Sequence, residues 1–213
     1  MSEPLRNQPL ASFFDALASG SPTPGGGSAA ALSGALAASL ISMVCNISLN
    51  RTNGAPEEAD AIRSVLAQAE DLRGEFQQLA EDDIEIFNRL AAAYKLPRTT
   101  DADAASRRAA IQKVTRQAAE VPLRTARAAV HVLPLCTSMV NRCSRMLVSD
   151  IGVAAALARA TAQSALLSVE INLATLDDKN YVRQVQAQME DLSVGMVEET
   201  QGILDIVRAR INQ

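Results

Sequence analysis

The run from Ser21 to Asn50, SPTPGGGSAAALSGALAASLISMVCNISLN, carries no charged residue. So long an uncharged segment of small side chains has to find packing partners, and the rest of the chain must supply them. Pro22 and Pro24 favour extended geometry around Thr23, and Gly25, Gly26 and Gly27 then free the backbone ahead of a run of Ala, Leu, Ser, Ile and Met. That pattern predicts a loop opening a helix. Along the helix Gly26, Ala30, Gly34, Ala38 and Ser42 recur every fourth residue, so one face is nearly bare and another backbone can approach it closely. Asn46 continues the row with a polar group.

Three physical readings compete for this stretch. The run exceeds the ~20 residues a bilayer requires, but Gly, Ser and Ala supply little transfer energy, neither flank is a basic cluster, and Asn46 would sit unpaired in lipid. A phosphate loop is excluded as well, because GSPTPGGGS lacks the Gly-Lys-Ser/Thr ending and no strand precedes it. The third reading is adopted: a buried central helix whose glycine-rich start leaves N–H groups for water, a side chain or an anionic ligand group.

Hydrophobic residues make up 48% of the 213 residues and aromatics 3%, with no Trp. A core of that kind is built from Ala, Leu, Val and Ile on closely packed helices. The expected fold is therefore all-α: one multi-helix bundle over residues 1–213 with long Ala/Gly/Ser-rich central helices, residues 1–8 forming a flexible leader. The net charge of −4, with no Lys/Arg-rich run, argues against nucleic acid as a partner. Cys45, Cys136 and Cys143 are an odd set in a chain with no N-terminal signal pattern, which points to a reducing cytoplasm. With a single histidine, His131, and no close Cys or His pairs, the usual zinc spacings are absent and no metal site is expected.

In chain order, Leu10, Phe13, Phe14 and Leu17 predict a short first helix stopped at Gly20. After the central helix, Asn50, Asn53, Gly54 and Pro56 mark a break. The next helix is predicted from about Pro56 to Tyr94, with a core stripe of Leu72, Phe76, Leu79, Phe87, Leu90 and Tyr94. Asp83 fills the gap in that stripe, whereas Glu81 and Asp82 turn to other faces. Burial raises a carboxylate's pKa, so Asp83 suits proton transfer; a salt bridge to a core arginine is the alternative.

Thr99 or Thr100 caps a further helix to Glu120, and the pattern restarts at Val121–Pro122 toward a second break at Pro134. His131 reads as packed core or interface. Residues 141–149 form a connection whose Arg142 and Arg145 make a local positive site for an anion. Ser149 or Asp150 starts a second small-residue helix, Asp150 serving at least as a cap. A last helix from Asp177–Asp178 keeps its spacing through Val182, Val185, Met189, Leu192, Met196, Ile203 and Val207.

Together these residues resemble the cyclodeaminase/cyclohydrolase family of folate enzymes. The resemblance rests on Ser21–Asn46, on DDIEIFN at Asp82–Asn88, AAYKLP at Ala92–Pro97, AAEVPL at Ala118–Leu123 and SDIGVAAALARA at Ser149–Ala160. It implies a helical subunit that dimerises and binds a reduced folate beside the glycine-rich loop, with Asp83, Lys95 and Asp150 at charged motif positions and Pro24, Gly25, Gly26, Gly27 and Ser28 in the loop. The implied activity is methenyltetrahydrofolate cyclohydrolase, without metal or cofactor; the cyclodeaminase reaction and a non-catalytic helical dimer are the alternatives. The cyclohydrolase is preferred because no formiminotransferase domain is present to hand over a formimino substrate. Asp83 would then be the base, Asn46 and Arg145 would line the substrate site, and Lys95 or Arg51 would hold the glutamate carboxylates. The chain departs from the family pattern at Arg51–Gly54, at Cys143–Ser144 and at Ser168.

Overall fold

The structure, a computed structural model, describes residues 4–51 and 56–212. Among these residues there are seven α-helices and no strand: α1 (Leu10–Leu17), α2 (Gly26–Leu49), α3 (Pro56–Tyr94), α4 (Asp101–Met139), α5 (Val148–Leu173), α6 (Lys179–Ser193) and α7 (Met196–Ile211). Helices α2 to α5 form an up-and-down ring in which α2 packs on α3 and α5, and α4 closes the other side. Helix α7 lies against α5.

Both α2 and the span Arg145–Leu173 are long and apolar enough to cross a membrane. Here α2 is instead the core of the bundle, burying Ala31, Ala37, Ala38, Ile41, Val44 and Cys45. The bare face works as expected at Gly34, where an added Cβ would stand 2.4 Å from the Phe76 ring. It fails at its two ends, because Gly26 and Asn46 are not buried and nothing lies within 4 Å of a Cβ built at Gly26. The close approach at this end is made by Gly27.

The α3 stripe also differs from its expected course. Phe87 and Tyr94 are exposed, and the buried positions are Leu72, Phe76, Leu79, Ile86 and Ala93. Steps of seven from Leu72 keep to one face of a 3.6-residue helix, whereas the steps of four through Asp83 and Phe87 drift off it. Asp83 therefore sits half-buried at the margin facing α2.

Neither proline ends α4, which runs unbroken through Pro122 and Pro134. Pro122 leaves the carbonyl of Ala118 without its helical donor. The Asn172 side chain of α5 donates to that carbonyl at 3.4 Å, which lets the helix continue. Helix α4 starts with a capping box of Thr100 and Asp103.

The expected single last helix is two. Gly195, with φ +77°, adopts the left-handed conformation between α6 and α7, which glycine enters without steric penalty. Near the N-terminus, Leu5–Asn7 form one 3-10 turn, and the Leu5 amide donates to the Glu81 carboxylate. The expected break residues Asn53 and Gly54 lie outside the described residues.

Candidate active site

Helix α2 begins at Gly26 after an extended Gly25, and Pro24, reached through a cis Thr23–Pro24 peptide bond, is buried. The first turn of such a helix presents N–H groups that lack intrahelical acceptors. Asp83 of α3 lies against that turn. Its Oδ2 accepts from the fully buried Ser28 hydroxyl at 2.8 Å, and its carboxylate also accepts from the Ser28 amide. A Cβ added to Gly27 would lie 2.0 Å from Asp83 Oδ1, so glycine at this position is what admits the carboxylate.

Burial pushes the Asp83 carboxyl above its ordinary value, and the Ser28 hydroxyl and amide only partly offset this. No salt bridge to Asp83 forms among the described residues. The neighbouring Asp82 takes Arg124 of α4 at 3.2 Å and Glu81 holds Leu5, so three consecutive acids serve three different faces. The result is an unpaired carboxylate on a helix N-terminus, a group able to accept a proton and to return it. The thiols do not compete for that role: all three are buried, with Cys45 pushed up to about 11 and Cys136 to about 12, chiefly by desolvation.

The other expected site residues are scattered. Lys95 is exposed just past the end of α3, roughly 18 Å along the helix from Asp83 by the rise per residue. Arg51 follows the opposite end of α2, roughly 35 Å from Ser28 on the same measure, and lines a hollow with Ser48, Glu58, Arg142 and Ser144. Asn46 is exposed on α2, also toward that end. Asp150 lies in the first turn of α5, close enough to Cys143 to act on its thiol, and so belongs to the far end of the bundle too. Within one chain neither Arg51 nor Asp150 reaches a molecule held at Asp83.

The expected anion site at Arg142 and Arg145 is already occupied by protein groups. Arg142 donates to the Ser138 carbonyl at 2.5 Å and pairs with Glu58 at 3.4 Å, while Arg145 donates to the Ile211 carbonyl at 2.6 Å. These arginines fasten helix ends. His131 is exposed beside Gln68 and Asp71 instead of packing in the core. Sequence reasoning also missed Arg6, Phe14 and Gln77, which line a hollow that begins at Ala29, next to Ser28. The helical spacing of α1 was readable, but its position over α2 has no local signal.

Residues 9–191 match the family model described as formiminotransferase-cyclodeaminase. The chain is 36% identical over 206 residues to the methenyltetrahydrofolate cyclohydrolase of Methylorubrum extorquens, covering 97% of this chain and 99% of that protein. It is 31% identical to the formimidoyltransferase-cyclodeaminase of Sus scrofa, covering 97% of this chain but 38% of that longer protein. The fold resembles the crystal structure of formiminotetrahydrofolate cyclodeaminase from Thermotoga maritima, with a TM-score of 0.84 at 24% identity, covering 96% of this chain and 98% of that one.

Proposed function

The chain belongs to the formiminotransferase-cyclodeaminase family, and from that premise we propose that it is a methenyltetrahydrofolate cyclohydrolase, yielding 10-formyltetrahydrofolate. The observation that carries this reading is the unpaired, burial-raised Asp83 seated against the glycine-rich start of α2. The identity of 36% to a cyclohydrolase, at near-full coverage of both proteins, supports it.

The substrate carries a cationic amidinium carbon. Water adds to that carbon while Asp83 removes one of its protons, giving a neutral tetrahedral adduct. Asp83 then returns the proton to the pteridine-ring nitrogen, the carbon–nitrogen bond breaks, and the adduct's hydroxyl proton leaves as the formyl carbonyl forms. Each turnover thus consumes one water and releases one proton. The carboxylate's charge also favours the cationic ground state and its approach to the site. The reaction needs no metal or redox cofactor.

The cyclodeaminase reaction, in which an aniline nitrogen attacks a formimino carbon and ammonia leaves, is the second reading, favoured by the 31% identity to the pig protein. The two separate in one assay. Purified protein is incubated with methenyltetrahydrofolate and, separately, with formiminotetrahydrofolate, while the methenyl absorbance is followed. A fall with the first substrate is expected; a rise with the second alone would favour the cyclodeaminase, and no change with either would reject both. We read the working unit as a homodimer, supported by the exposed Val153, Leu167 and Ile171 of α5 and Met43 of α2, and its compartment as the cytoplasm, supported by three free cysteines.

A further inference from the structure

Beneath α1 lies a cavity of about 400 Å³ that the chemistry above leaves unused. Leu32 and Leu36 of α2 form its floor, and Leu10, Phe14 and Leu17 of α1 face them. Phe13 seats α1 and is buried, but Phe14 is 56% exposed and Leu36 60%, so part of the apolar surface under α1 stays uncovered. Apolar floor and roof held apart in water are unfavourable unless something fills the gap. The segment ahead of α1 is pinned by the Leu5 amide on Glu81, which fixes one end of the strap.

The polar groups of the cavity are few. Ser33 and Ser39 spend their hydroxyls on the carbonyls of Ala29 and Ala35, at 3.0 and 2.7 Å, which leaves Arg6 and Gln77. An apolar hollow of this size with a few polar groups has the character of a small-molecule site. It starts at Ala29, the residue after the Ser28 that holds Asp83, and extends along α2 to Ser39, roughly 15 Å by the helical rise.

We propose that this cavity receives the aminobenzoyl ring of the folate, against Phe14 and Leu36, with Arg6 meeting the carboxylate beyond it; the assignment rests on the function proposed above. The reacting carbon bridges a pteridine nitrogen and the aniline nitrogen of the aminobenzoyl group. A substrate with that carbon at Asp83 carries its aromatic amide away from the pteridine, and the hollow that begins at Ala29, one residue past Ser28, is the apolar space next along α2 to take it. The flat ring fills the gap between α1 and α2, and the pteridine stays on the glycine-loop side. Arg51, at the opposite end of α2, is too distant to hold the carboxylate of the same molecule.

Phe14→Ser and Arg6→Gln test this in the intact protein, because both side chains are exposed and neither supports the core. We expect Phe14→Ser to raise KM for methenyltetrahydrofolate about tenfold with kcat, melting temperature and sedimentation unchanged. Arg6→Gln should raise KM several-fold for that substrate and leave it unmoved for the pteroate analogue that lacks glutamate. A wild type that turns over its substrate while both variants keep its KM would overturn the cavity assignment alone. Variants that shift sedimentation and not KM would also overturn it, and would give the cavity to a second copy of the chain. A wild type inert toward methenyltetrahydrofolate would remove the proposed function and this inference together.

Discussion

Asp83 is held by one serine and one helix terminus, with no cation beside it among the described residues, and this decides what its removal should do. A carboxyl whose folded-state pKa is raised binds its proton more tightly in the native chain than in the unfolded one. Its desolvation penalty is therefore absent below the ordinary value of 3.8, grows as pH rises toward the folded value, and is complete above it. Asp83→Asn, which still accepts from Ser28, should be at least as stable as the wild type at neutral pH, and the difference in melting temperature should close on acidification. Turnover should nevertheless fall by ~10²–10⁴-fold, and the wild-type rate should rise with pH through the elevated Asp83 value. A variant that unfolds readily, or one that keeps the wild-type rate, would remove Asp83 from this role. The adjacent glycines give a paired control. Gly27→Ala places a methyl group 2.0 Å from Asp83 Oδ1 and should abolish turnover by displacing the carboxylate, whereas Gly26→Ala meets nothing within 4 Å and should retain it. Asp83 was legible because a charge spaced by four from Leu79 interrupts an apolar stripe. That Gly27 and not Gly26 makes the contact was not legible, since the choice depends on the rotation of α2 against α3.

The elements show the same division between local and distant causes. The bounds of α3 and the caps at Thr100 and Asp178 follow from residues within a few positions of them. The continuity of α4 does not, because the group that answers Pro122 is Asn172, 50 residues further along the chain. Asn172→Leu leaves the Ala118 carbonyl without that donor and should cost about 1 kcal/mol, read as a lower urea midpoint at unchanged slope. The break at Gly195 was readable in principle, but the apolar spacing that runs on from Leu192 to Met196 and Ile203 masked it. Gly195→Ala forces a Cβ into the left-handed region and should destabilise the protein by about 1 kcal/mol or somewhat more. Gly34→Ala, with its Cβ 2.4 Å from a buried phenylalanine ring, should cost about 1–3 kcal/mol through overpacking.

For the whole molecule the governing fact is where apolar surface remains after the bundle has formed. Val153, Leu167 and Ile171 are exposed along one side of α5, and Met43 is exposed on the neighbouring α2. Scattered apolar residues on a surface need no explanation, but Val153, Leu167 and Ile171 keep to one side of α5, and α2 beside it carries no charge. A second bundle laid on this side would bury them in an isologous contact, in which each residue near the axis meets its own copy. Leu167 and Ile171 are 65% and 70% exposed, so replacing them removes little from the fold of one subunit. Leu167→Lys combined with Ile171→Asp should therefore leave the helical content intact while converting a dimer to a monomer in sedimentation at micromolar concentration. The wild-type melting temperature should rise with protein concentration, as association requires, and that of the double variant should not. A wild type that sediments as a monomer, or a double variant that sediments and melts like the wild type, would move the contact off this face of α5.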